Sequence, residues 1–169
     1  MTAPSAENIL EHPAVRRVAA ALASFGVRGQ ITVLDEAART AQQAADALGI
    51  EIAQIANSLV FRAHREDDKI RPLLVLTSGA HRVDTIKVAD LLELSRISRA
   101  DAGFVREHTG FAIGGVAPIA LRHRVETVVD VSLSRYDQVW AAAGHPNTVF
   151  PTSYDELLRL TGGHAAEVA

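Results

Sequence analysis

The chain has 169 residues, 48% of them apolar and 22% charged, and a formal net charge of −3. That length and balance suit one domain with a substantial core, read over residues 1–169, and they argue against a broadly basic nucleic-acid binder. Cysteine is absent, which excludes a disulfide framework, a thiolate metal site and a cysteine nucleophile.

The opening "MTAPSAENILEHP" carries charges and has no apolar core, so it does not read as a secretory signal. Residues 5–25 follow as an amphipathic helix in which Ile9, Val15, Val18, Leu22 and Phe25 share a face. Pro13 lies inside this pattern and either bends the helix or moves its start to His12. A short strand covers 31–35. Thr40 and Gln43 have capping-box spacing for a helix that ends at Gly49. Strands at 55–62 and 71–78, joined by the polar stretch "AHREDDK", read as a hairpin. Asp84 caps a helix through Leu94 with Ile86, Val88, Ala89 and Leu92 turned inward. Ser98 to Asp101 opens a helix near 99–108, and Gly110 ends it. "TGFAIGGVAPIA", from Thr109 to Ala120, reads as an apolar strand that its glycines and proline force to turn. Strands at 125–133, 138–144 and 147–152 come next. Ser153 and Glu156 cap a last helix, which stops at Gly162 and Gly163. Strands separated by helices predict an α+β domain. The longest apolar runs, such as 111–120, are too short to cross a bilayer, and the expected location is cytoplasmic.

The residues that carry chemistry are few. Seven histidines occur, but no pair has the one-turn or alternate-strand spacing that aims two imidazoles at one ion, so no metal site is expected. The pattern G-x-S-x-G is absent, and Ser78-Gly79, the nearest substitute, reads as a turn. No phosphate-binding glycine motif is present. Gly114-Gly115-Val116-Ala117-Pro118 remains. Glycine lets backbone approach a ligand and permits positive φ, and proline fixes one side of the loop. Such a loop presents amide donors to a carbonyl or an oxyanion; a bulge in a strand explains the glycines equally well. Arginine supplies nearly all the positive charge. Arg62, His64, Arg65, Lys69 and Arg71 fall close together in sequence, as a solvated face or as a local phosphate-binding one.

Several stretches in order resemble the YbaK/ProX-type trans-editing domains, which hydrolyse mischarged aminoacyl-tRNA, chiefly tRNA for proline. They are "QQAADALGIEIAQIANSLVF", "RVDTIKVADLL", "TGFAIGGVAPIA", "VVDVSLSRYDQVWAAAG" and "SYDELLRLTGG", spread over residues 30–163. The resemblance implies a mixed, barrel-like sheet surrounded by helices. It implies a deacylase of translation fidelity with no metal or organic cofactor, acting on the acceptor end of mischarged tRNA, with an aminoacyl-tRNA synthetase as a further partner. Gly114 and Gly115 become catalytic backbone positions. Val116, Ala117, Pro118, Ser78 and Gly79 join them in substrate binding, and Arg62, Arg65 and Arg82 contact tRNA phosphates. One position departs from the family pattern. The family strand carries a lysine where this chain reads Ile55-Ala56-Asn57-Ser58-Leu59-Val60-Phe61. Asn57 hydrogen-bonds without charge, so it is assigned to the catalytic pocket. The alternative is a catalytically weak relative that binds tRNA or a synthetase.

Overall fold

Pro13 divides the N-terminal helical stretch in two. In the computed structural model, which describes residues 5–27 and 30–169, α1 covers Ala6–Leu10 and α2 covers Pro13–Ser24. Proline suits the first turn of α2 because its missing N–H needs no partner there, and His12 Nδ1 caps the turn by accepting from the Ala14 N–H at 3.2 Å. Val15, Val18 and Leu22 form the buried stripe.

The other elements are β1 (Thr32–Val33), α3 (Ala41–Leu48), β2 (Ile55–His64), β3 (Ile70–Ser78), α4 (Thr85–Leu91) and β4 (Arg96–Arg99). Then come α5 (Ala102–Thr109), β5 (Glu126–Asp130), β6 (Val139–Ala142), β7 (Thr148–Thr152), α6 (Tyr154–Thr161) and β8 (His164–Ala166). Local chemistry sets many of these boundaries. Thr40, Asp84 and Ser153 each accept the third residue's N–H, at 3.1, 3.0 and 3.1 Å. Gly49, Gly110 and Gly162 end their helices in the left-handed conformation, which glycine adopts without a Cβ penalty.

The eight strands form one mixed sheet in the order β1-β7-β6-β2-β3-β5-β8, with β4 also on β2. This is the α+β arrangement of a mixed sheet with surrounding helices that the sequence predicts. Alternate residues separate two cores. Ala56, Leu74, Leu76 and Val129 face the larger, with α2, α5 and α6. Ala63, Leu73, Val75 and Val128 face the smaller, under α4.

Several predicted elements change. Arg96–Arg99 pairs with Phe61–His64 as β4, so α5 starts after Asp101, whose carboxylate accepts from Phe104 N–H at 2.8 Å. The strand expected at 125–133 stops at Asp130, which caps a 3-10 turn over Val131–Arg135. α4 ends at Leu91, and Ile86 is 75% exposed rather than inward, while Val88 and Ala89 are buried. The 109–120 stretch forms no strand; it leaves α5 as a loop with its own turn.

Candidate functional site

β2 shares one edge between two partners. Ile55 and Ala56 pair with Trp140 and Ala141 of β6, and Phe61 to His64 pair with β4. Between them, residues 57–60 have no ladder partner on that edge. A cavity of about 310 Å³ opens beside this gap, at the small end of ligand pockets. Asn57 and Ser58 line it from β2, Ala38 to Ala41 from the start of α3, Trp140 from β6, and Ile113, Gly114 and Val116 from the 109–120 loop.

The loop is anchored on both sides. Phe111, 1% exposed, enters the larger core. The Arg17 guanidinium lies 4.7 Å above its ring, and Arg17 Nε donates to the Ala120 carbonyl at 3.3 Å. Gly115 N–H closes a turn on the Ala112 carbonyl at 3.0 Å. Gly114, φ +92°, reaches the cavity; a Cβ there would meet nothing within 4 Å, so backbone conformation is what requires glycine. Gly115 has the opposite reason. A Cβ there would lie 3.1 Å from His145 Cα and N. Gly115, Ala117 and Pro118 stand behind the cavity wall and are buried. Among the described residues, no protein acceptor takes the Gly114 or Val116 N–H. Free backbone donors at a pocket can hold a carbonyl or an oxyanion.

The Asn57 carboxamide lines the cavity, half-buried and with no protein partner among the described residues. Ser58 lines it too, but its Oγ is buried, closed to solvent and without a hydrogen bond. Arg39, exposed, is the one ionisable residue in the wall. It precedes the cap of α3, and its backbone N–H is held by Gln43 Oε1 at 2.8 Å. The first turn of α3 therefore presents the helix's positive end and a guanidinium together. Behind the wall, burial and then the positive charges of His12 and Arg39 push the His145 imidazole below its ordinary pKa. His145 Nδ1 accepts from Asn147 N–H at 3.1 Å, so its neutral form carries the proton on Nε2.

The remaining predicted residues lie elsewhere. Ser78 and Gly79 are outside the cavity wall. Ser78 Oγ donates to the Ala53 carbonyl at 3.3 Å, and a Gly79 Cβ would fall 2.5 Å from the Ile52 carbonyl. Both belong to a turn built on Asp130, which is 1% exposed. One Asp130 oxygen accepts from Ser78 N–H and His81 Nδ1, each at 2.9 Å, and the other from the Ser132 N–H and hydroxyl at 2.9 and 2.8 Å. Burial opposes ionisation of this carboxyl, but these hydrogen bonds outweigh it and hold the pKa below 3.8. Ser132 Oγ approaches His81 at Nδ1, the nitrogen already turned to Asp130, so the group is not a nucleophile triad.

The three arginines are dispersed. Arg62 pairs with Asp101 at 3.1 Å and stacks on Phe104. Arg65 pairs with Glu126 at 2.9 Å, in a different cavity. Arg82 is exposed on the loop before α4. Sequence reasoning missed Arg39 and Ser58. Ser58 neighbours Asn57 in a strand, where alternation places adjacent side chains on opposite faces; both residues line the cavity because it opens at the unpaired edge, but the Ser58 hydroxyl itself is buried away from solvent.

A family model described as the aminoacyl-tRNA editing domain matches residues 35–160. The uncharacterized protein YwhH of Bacillus subtilis is 33% identical over 136 residues, covering 75% of this chain and 78% of that protein. A proline–tRNA ligase of Limosilactobacillus fermentum is 32% identical over 96 residues, which is 57% of this chain and 17% of the ligase. A solved structure described as a candidate trans-editing enzyme for prolyl tRNA synthetase is 39% identical, with a TM-score of 0.83, covering 92% of this chain and 96% of that one. Another, of a hypothetical protein, is 26% identical with a TM-score of 0.81, covering 90% and 98%.

Proposed function

Since this chain belongs to the aminoacyl-tRNA editing domain family, we propose that it is a trans-acting deacylase of mischarged aminoacyl-tRNA, with tRNA for proline as its substrate. The observation that carries this reading is one cavity lined by Asn57 and by Gly114 and Val116, whose N–H groups are unengaged.

The chemistry is ester hydrolysis. Water attacks the ester carbonyl carbon, the carbonyl oxygen becomes an oxyanion, and the bond to the ribose oxygen then breaks. The proton from water passes to that oxygen, leaving a free amino acid and the tRNA hydroxyl. The Gly114 and Val116 N–H groups stabilise the oxyanion. Asn57 hydrogen-bonds the ester without charge. A ribose hydroxyl next to the ester assists proton transfer. Apolar Ile55, Trp140 and Val149 in the wall suit a small side chain.

Asn57 leaves the strand without the charge of the family lysine, and Arg39 supplies one from the other wall. Arg39 holds the terminal phosphate of the tRNA, and exposed Arg82 adds a contact outside the cavity. Arg62 and Arg65, already paired, contribute less. Arg39→Gln should weaken binding to aminoacyl-tRNA and flatten its salt dependence by roughly 0.7 in log–log slope for one single-stranded phosphate.

The test is release of free amino acid from a panel of mischarged tRNAs, including tRNA for proline. Hydrolysis of at least one, abolished when the cavity is altered, is the expected result. Salt-dependent tRNA binding with no hydrolysis of any member would establish the second reading, a binding relative, which the uncharged Asn57 favours.

A further inference from the structure

A second cavity, of about 520 Å³, lies beyond the other end of β2, past its last residue, His64. Arg65 and Arg71 reach it from the β2–β3 hairpin, and His123 and Arg124 from the segment before β5. His108 closes it from the end of α5, and His164 from β8. Glu126 is the one carboxylate in this wall, so three guanidinium groups leave it net positive.

Two features show donors without acceptors. Arg65 gives Nη2 to Glu126 at 2.9 Å, but its Nε is buried and has no hydrogen-bond partner. Among the described residues, no carboxylate pairs with Arg71 or Arg124. The imidazoles form an ordered pair. His123 Nδ1 lies 3.0 Å from the Arg124 carbonyl and donates to it. In the neutral ring His123 Nε2 is then an acceptor, and His108 Nδ1 donates to it at 3.1 Å.

We propose that this cavity binds a phosphate group. Its donors are the guanidinium groups of Arg65 and Arg71 from the hairpin and of Arg124 from the segment before β5. A tetrahedral oxyanion meets donors from three directions, whereas a carboxylate offers two oxygens in one plane. Arginine forks match phosphate in paired hydrogen bonds. The site is separate from the Asn57 cavity, roughly 26 Å along β2 at about 3.3 Å per residue, and does not rest on the deacylase reading. Both a backbone phosphate of RNA and a free phosphate compound supply the same group.

The probe is inorganic phosphate, titrated into the full chain at constant ionic strength set with chloride. Histidine ring resonances report the binding. His108 and His123 should shift and saturate. The double variant Arg71→Gln, Arg124→Gln should weaken the apparent affinity by at least about tenfold; both residues are exposed, and an unchanged thermal melt verifies the fold. Shifts that never saturate, or an affinity unchanged in the double variant, overturn the proposal. A second arm adds an RNA hairpin with a single-stranded 3′ end that carries no amino acid. If it displaces phosphate and shifts the same rings, the site holds nucleic-acid backbone. If phosphate saturates the site and the hairpin leaves the rings unmoved, the site serves a free phosphate compound. Deacylation does not enter this readout, so failure here leaves the proposed function standing.

Discussion

Replacing Gly115 by alanine should damage the fold before it touches the ligand. The added Cβ would meet His145 Cα and N at 3.1 Å and Gly144 C at 3.2 Å. These are backbone atoms in a turn that cannot easily yield. His145 N–H donates to Thr148 Oγ1 at 3.1 Å, Thr148 Oγ1 donates to the His145 carbonyl at 2.9 Å, and Thr148 N–H donates to that carbonyl at 2.9 Å. Gly144, φ +102°, is itself wedged against Ala14, where a Cβ would lie 2.9 Å from the Ala14 carbonyl oxygen. The strain has to be taken up by shifting the loop, and overpacking of this kind costs about 1–3 kcal/mol. For a chain of this size that is a fall of about 2–12 °C in Tm. Gly114→Ala is the informative comparison. Its Cβ meets no atom within 4 Å, but φ +92° strains any L side chain, by about 1–2 kcal/mol. Urea melts followed by circular dichroism, with equal m-values, measure both. Activity per folded molecule then separates them: Gly114→Ala alters the cavity wall directly, Gly115→Ala only through loop displacement. An unchanged unfolding midpoint for Gly115→Ala would refute the packing argument and return Gly115 to a role at the ligand.

Other outcomes follow from the same geometry. Asn57→Ala should lower deacylation of every active substrate, whereas Asn57→Lys should raise it by about tenfold on at least one mischarged tRNA, because a charged hydrogen bond exceeds a neutral one by about 1 kcal/mol or more; initial rates decide both. Ser58→Ala removes a buried hydroxyl that has no partner, so Tm should hold or rise; a lower Tm would reveal an unseen structural bond. Asp130→Asn should cost about 2–4 kcal/mol at neutral pH, since several hydrogen bonds to a buried charge are weakened together. The folded pKa of Asp130 is depressed below 3.8, so its stabilisation is complete above that value and is lost as pH falls through the lower folded one. The deficit of the variant in urea melts should therefore shrink in acid, and a deficit constant with pH would show that the charge itself is immaterial.

Short-range signals carried much of the fold. Thr40, Asp84 and Ser153 were legible as caps because a cap needs only its own side chain and an N–H three residues on. The β2–β3 hairpin and the glycine stops were legible for the same local reason. So was the special status of Gly114, since positive φ is a property of one residue's backbone. Ordered resemblance supplied the family. Sequence by itself also brought Asn57, Gly114 and Val116 forward as pocket residues, and the three do line one cavity. Tertiary structure decided the rest. The cavity exists because β6 and β4 each take part of one edge of β2, and no local pattern records which distant strand stops where. Arg39 entered the wall because α3 docks beside that gap, and Arg65 lies outside it because β2 carries it roughly 26 Å beyond Asn57, where Glu126 binds its guanidinium. Ile86 satisfied the helical period, yet α4 buries Val88 and Ala89 and leaves Ile86 to solvent. Ser78 was legible as a turn residue, but the carboxylate that holds its N–H, Asp130, comes from a strand far away in sequence. Local conformation follows from each residue's own torsions and near neighbours, whereas a site is an intersection of surfaces whose meeting is fixed only when the whole sheet is packed.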